Sequence, residues 1–356
     1  MKEYHKIIIF TKTPLKAFFK FEDKFQIYPL DEYYLGDSKN YKHYPIILEF
    51  KVHPENIIKP TLSYDGIEDL VSQDDINETA TIQTTRDKII NLLNLFSTFK
   101  FFCYKKSEGS WILPYKEGMT KEEMKNVKSS EFCFSYFFHK EINNFDINEF
   151  TNVSEKFKAI EVVEYSEYYQ DGPNYDYDSS KGIRLPNNIL YGLKGYYNLN
   201  LEEQKVMDSA IKYSVLCMEL MEEKTTLAIL SAFTSIETVM NFYYKDFKPE
   251  NCPECSQPRY KISKRYIDFL LNFIGDGDGF KRRFSNLYSL RSKIVHTGFS
   301  FETEQFWNEL NDQEKESEII TILEILMLSK LSVINYLILP LLGKKEKHHN
   351  LETKIK

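Results

Sequence analysis

The chain has 356 residues, with 46 Lys plus Arg against 53 Asp plus Glu, a formal net charge of -7 and 42% hydrophobic residues. Those proportions exclude collagenous, mucin-like and wholly disordered chains, and at ~100–200 residues per domain they predict two globular domains that need no disulfide or metal staple. The acidity argues against indiscriminate coating of nucleic acid, whose affinity comes from Lys and Arg neutralising phosphates, but it leaves room for a local basic site.

In chain order, Ile7–Phe10, Ala17–Tyr28 and Tyr44–Val52 are rich in aromatic and β-branched residues with polar breaks between them, and predict strands. Thr84 or Thr85 is placed to cap a helix beginning near Arg86, with Ile89, Ile90, Leu92, Leu93 and Phe96 as its apolar stripe. Phe101–Tyr104, Ser110–Pro114 and Glu131–Phe138 return to strand-like runs. Residues 1–185 are thus expected to form an α+β domain. Within them, Glu161–Gly182 interleaves acidic residues with tyrosines and reads as an exposed loop; its Asp176-x-Asp178 pair is a solvated acidic loop before it is a cation site.

From Leu201 the pattern becomes helical. Leu201–Glu223, Lys224–Tyr244, Ile262–Phe273, Phe280–Val295 and about Glu316–Leu339 carry amphipathic spacing, predicting an all-α bundle over 195–343 with a frayed tail at 344–356. Ile319–Leu342 is apolar enough to suggest a membrane span, but Glu324, Ser329, Lys330, Ser332 and Asn335 interrupt it, so a buried bundle helix and no membrane contact are expected. The N-terminal apolar run Ile7–Phe10 is too short for an export signal. The five cysteines, Cys103, Cys133, Cys217, Cys252 and Cys255, are too few and odd for a secreted disulfide framework, so a reducing, cytoplasmic location is expected.

Charge is unevenly distributed. Of seven arginines, five (Arg259, Arg265, Arg282, Arg283 and Arg291) lie in one segment; from Arg259 to Lys293 nine basic residues oppose three Asp, a local charge of +6. Arg suits bidentate phosphate contact, so Lys281, Arg282, Arg283 and Lys293 are candidate RNA-binding residues, against the alternative of a solvated basic helix face. The segment ends in Arg291-Ser292-Lys293-Ile294-Val295-His296, an R-x4-H pattern with Gly298 placed as a helix stop. Histidine can move a proton to or from a ribose 2′-hydroxyl or leaving oxygen, and arginine can stabilise charge building on the phosphate, the inventory of a metal-independent ribonuclease. Five residues turn an α-helix by about 140°, so Arg291 and His296 do not share a face unless the helix distorts near Val295 or two copies of the segment meet. Ser292 and His296, four apart, do share one.

Glu237 lies mid-helix between Ile236 and Val239-Met240. A buried Glu is costly unless paired, so it is expected either to face Arg291 or another cation, or to lie on a solvent face. Cys252-x-x-Cys255 supplies half a zinc ligand set, with no second pair at finger spacing; a Pro-containing turn with reduced thiols is expected, structural zinc being the alternative. Asp276-Gly277-Asp278-Gly279 lacks the remaining EF-hand ligands and reads as a turn. Nucleotide-binding P-loop and serine-hydrolase elbow motifs are absent from the sequence.

Leu290–Gly298, preceded by two long helices with Ser235-Ile236-Glu237 in the second and by the Cys252-Pro253-Glu254-Cys255 turn, resembles the HEPN superfamily, in particular its Apea-like branch. The likeness covers about residues 200–342. It implies a helical bundle that dimerises and brings two R-x4-H motifs into one cleft, with Arg291 and His296 catalytic and no cofactor. The implied activity is that of an RNA-cleaving toxin or an abortive-infection effector of antiphage defence. The N-terminal domain would bind a trigger or regulator. The residue after the arginine departs from the Asn, Asp or His common in catalytic members: here it is Ser292, which can still hydrogen-bond a phosphate or orient His296. The alternative is a non-catalytic RNA- or protein-binding module.

Overall fold

The computed structural model describes residues 3–30, 43–52, 73–103, 120, 147–170, 182–221, 223–247, 250–251, 258–259, 261–305 and 309–342. The chain divides into two compact units, Met1–Val163 with Asn174–Leu185, and Glu164–Pro173 with Pro186–Lys356.

The first unit is built on an antiparallel sheet of β1 (Tyr4–Thr11), β2 (Phe19–Phe21), β3 (Phe25–Pro29), β4 (Tyr44–Lys51) and β5 (Phe101–Phe102), in the order β2-β3-β4-β1-β5. The predicted strand over Ala17–Tyr28 is a hairpin. Glu22 adopts a left-handed φ of 46° and the chain reverses so that Phe19 pairs with Ile27. Ile8 opposite Ile47 and Ile27 opposite Leu48 place branched side chains across the central strands. Among these strands sits one fully buried carboxylate, Glu49, which accepts hydrogen bonds from Gln26 Nε2 (2.7 Å), Tyr28 OH (2.6 Å), Thr151 N (2.9 Å) and Thr151 Oγ1 (2.6 Å). Four donors offset its burial and pin the segment at Thr151 to the sheet.

Helix α1 spans Gln73–Phe96, beginning well before the expected start near Arg86. Thr84 and Thr85 lie within the helix and cap nothing: the Thr85 hydroxyl donates to the Thr81 carbonyl (2.8 Å), as that of Thr81 does to Asn77 (2.6 Å), so these hydroxyls are satisfied inside the helix. At its far end Asn94 clamps β5, donating to Phe101 O at 2.8 Å and accepting from Phe101 N at 2.6 Å. The strand-like runs at 110–114 and 131–138 and the Asp176-x-Asp178 pair lie outside the described residues.

The second unit is helical, with α2 (Tyr165–Gln170), α3 (Ile189–Tyr197), α4 (Leu201–Leu220), α5 (Thr225–Tyr243), α6 (Ile262–Phe273), α7 (Phe280–Thr297), α8 (Glu302–Gln305) and α9 (Asp312–Ile338). Helix α2 replaces part of the expected acidic loop, because Asn187 Oδ1 accepts from Tyr165 N (3.0 Å) and its Nδ2 donates to Glu164 (2.8 Å), capping a turn whose Tyr168 is buried. In helix α3 a Cβ on Gly195 would collide with the Leu337 carbonyl, so the glycine permits close packing on α9. Helices α4 and α9 start with capping boxes, Asn200–Glu203 and Asn311–Glu314, and the second begins α9 a turn before its apolar run.

Helix α9 is long and apolar enough to cross a membrane by length and composition, yet its apolar stretch is mostly buried within the helical unit, as expected of a bundle helix. Its polar interruptions are absorbed by neighbours: Ser329 donates to Ser214 (2.9 Å), Asn335 to Phe273 O (2.7 Å), and Lys330 reaches Met218 Sδ (3.8 Å).

Candidate functional site

Helix α7 carries the Arg-rich segment. It packs on α6 and α5 through Phe284, Leu287 and Ile294, which sit on one face at spacings of three and seven. Gly279 at its start and Gly298 at its end both take positive φ (86° and 67°), and Gly298 ends the helix as the sequence predicts. Between them the helix is α throughout and includes Val295 and His296. It does not distort at Val295, so Arg291 and His296 of one chain stay about 140° apart.

Arg291 lies on the shoulder of α7 that faces α5. Its Nε is 2.9 Å from Glu237 Oε1 and its Nη2 donates to Glu237 Oε2 at 3.1 Å. Both side chains are largely buried, 25% and 18% exposed, so of the two alternatives for Glu237 the structure has the one facing Arg291. His296 is exposed in the last turn, on the opposite side of the helix, and Ser292 is half-buried between them. Among the described residues no ion pair or hydrogen bond engages the His296 ring.

The other basic candidates separate into two groups. Lys281 and Arg282 are exposed in the first turn of α7, where the positive end of the helix dipole adds to their charge. Arg283, in contrast, donates through Nε (2.9 Å to each carboxylate oxygen) and Nη2 to Glu324 on α9. Lys293 lays its ammonium over the Phe299 ring, 3.9 Å from the centroid. Cys252 and Cys255 lie outside the described residues, although Glu250–Asn251 and Pro258–Arg259 on either side pair as antiparallel strands. Among the described residues no group of three or more His, Cys, Asp or Glu is placed to hold a metal ion. Cys103 and Cys217 are free thiols pushed up by burial to about 11 and about 12.

Two tyrosines that the sequence reading missed border the ion pair. Tyr266 on α6 is fully buried, and its ring lies 5.0 Å from that of Tyr288 on α7. Burial raises both phenols; Glu237 raises them further, while Arg291 opposes the shift. Both therefore keep their protons and can only be donors toward a carboxylate. A signal existed: Tyr266 interrupts a stripe completed by Phe269, Leu270 and Phe273, where phenylalanine would pack equally well.

Compared with family models, curated proteins and solved structures, the chain gives no match.

Proposed function

We propose that the helical unit is a metal-independent endoribonuclease of the HEPN type, a cytoplasmic toxin or abortive-infection effector of antiphage defence that works as a homodimer. The observation that carries this reading is the disposition of Arg291 and His296 on one unbroken helix: the arginine is anchored on one side by Glu237 and the histidine is exposed on the other. Two such helices, related by a two-fold axis, would bring Arg291 of one protomer to His296 of the other.

In that arrangement His296 takes the proton of a ribose 2′-hydroxyl. The 2′-oxygen bonds to the adjacent phosphorus, the bond to the 5′-oxygen breaks, and that oxygen takes a proton from solvent water, whose hydroxide is neutralised by the proton His296 then releases; the products are a 2′,3′-cyclic phosphate and a 5′-hydroxyl. Glu237 lies against the Nε–Nη2 edge of Arg291 and accepts one Nη2 hydrogen, which leaves the Nη1 edge of the guanidinium to meet charge building on the phosphate. Lys281 and Arg282 would hold RNA, with Lys293, Arg283 and Ser292 supporting; the N-terminal unit would bind the trigger or regulator. No cofactor takes part.

One observation favours the second reading, a non-catalytic RNA- or protein-binding module: Arg291 is already engaged by a carboxylate, as a structural arginine would be. Mixing the two inactive variants Arg291→Ala and His296→Ala separates the readings. A composite site regains up to about a quarter of wild-type RNA cleavage, because half the dimers are mixed and each has one complete site. A mixture as inert as its components contradicts the composite nuclease.

A further inference from the structure

Two buried polar atoms near the Arg291–Glu237 pair lack a hydrogen-bond partner among the described residues: the Tyr266 hydroxyl and Glu237 Oε1. Oε1 is close to Arg291 Nε at 2.9 Å, but the proper hydrogen bond from Arg291 goes to Oε2. One atom is a donor in need of an acceptor and the other is an acceptor in need of a donor. Leaving either unsatisfied costs ~1–3 kcal/mol, which is why such atoms are rare in interiors.

The Tyr266 ring is wedged between the helix turns that lead to the ion pair. Its centroid is 6.2 Å from that of Phe233, four residues before Glu237 on α5, and 5.0 Å from that of Tyr288, three residues before Arg291 on α7. The carboxylate also has a freedom that a second donor would remove. The terminal torsion of glutamate is broad, and the Arg291 guanidinium, 2.9 Å from Oε1 and 3.1 Å from Oε2, holds the group from one side only.

We infer that Tyr266 is a positioning residue: it donates its hydroxyl to Glu237 Oε1 through one bridging water, and thereby fixes the carboxylate that holds Arg291. The role rests on reading Arg291 as the phosphate-facing group of a nuclease. Tyr266 touches no substrate; it acts through Glu237. A misplacement of about 1 Å at a reacting group costs roughly 100-fold in rate, so a loosened guanidinium lowers turnover while RNA binding, carried by surface cations, is little changed.

Two measurements on the full chain test this. In thermal unfolding, Tyr266→Phe keeps the ring and removes one oxygen; if that oxygen is bonded to Glu237, Tm falls by ~2–4 °C, and the fall is smaller in a Glu237→Gln background, whose amide oxygen accepts more weakly than a carboxylate. A Tm that is unchanged or higher in Tyr266→Phe means the oxygen was an unsatisfied burden and overturns the inference, whatever the activity. In RNA cleavage, Tyr266→Phe lowers kcat about 10-fold or more with KM little changed, and Tyr266→Phe with Glu237→Gln is no slower than Glu237→Gln alone. Wild-type cleavage with an unaltered kcat in Tyr266→Phe also overturns it. A wild-type protein that does not cleave RNA while the Tm coupling stands defeats the nuclease reading and the positioning role with it, and leaves only the contact.

Discussion

Glu237 Oε2 accepts a hydrogen bond from Arg291 Nη2 at 3.1 Å, tying α5 to the C-terminal half of α7 across 54 positions of sequence. The pair sits mostly out of water, so removing the carboxylate strands a buried guanidinium. Glu237→Ala is expected to lower unfolding stability by ~1.5–3 kcal/mol, read from urea denaturation, and to reduce RNA cleavage as Arg291 loses its anchor. An unchanged midpoint together with unchanged cleavage contradicts this role.

The surface cations are not equivalent. Arg283 is held by Glu324, whereas Lys281 and Arg282 stand exposed at the positive end of α7. In single-stranded RNA binding, Lys281→Ala and Arg282→Ala should each weaken affinity and reduce the slope of log K against log salt by about 0.7. Arg283→Ala should change the slope less than either. Equal effects from all three would show that the Glu324 pair opens readily in solution.

Lys330 gives the helical unit a pH dependence. Burial drives its ammonium down to about 7, against an ordinary value near 10.4 in the unfolded chain. Between those two values the unfolded state binds the extra proton, so this group makes stability rise with pH, and below about 7 the fold bears the full cost of a buried charge. Lys330→Met is expected to stabilise the protein at pH 6, on the order of 3–5 kcal/mol, with the gain over wild type shrinking by pH 10. A gain that does not vary with pH contradicts the assignment.

In the sheet unit, Thr151 gives Glu49 two of its four hydrogen bonds. Thr151→Val removes the hydroxyl donor and keeps the shape and the backbone donor. A loss of ~1.5–3 kcal/mol is expected for a bond to a buried charged group, and a neutral substitution would show that the remaining three donors suffice.

What could be read ahead of the structure was local. A Glu inside an apolar helix requires a buried partner or an exposed face, and Gly298 after an amphipathic run marks a stop; Glu237 and the end of α7 follow from those rules. The helical texture after Leu201 and the strands before Val52 are likewise carried by periodicity. What escaped depends on residues far apart in sequence. Asn187 caps α2 from 22 positions away, Glu304 binds the first turn of α5 through Thr226 N (3.0 Å) from 78 positions away, and Glu324 takes Arg283 out of the free basic cluster. The start of α9 was legible in its Asn311–Glu314 capping box, but hydrophobic spacing alone placed it later. Tyr266 was hidden because an aromatic in a core stripe reads as packing, and only the contacts of its ring place it beside the ion pair.

On the proposed reading, Arg291 and His296 cleave RNA without a metal. Incubating the purified protein with total RNA in EDTA tests it most directly. Wild type is expected to cleave in EDTA, with the activity lost in both Arg291→Ala and His296→Ala. Wild type and both variants equally inert, or cleavage abolished by EDTA, would contradict it.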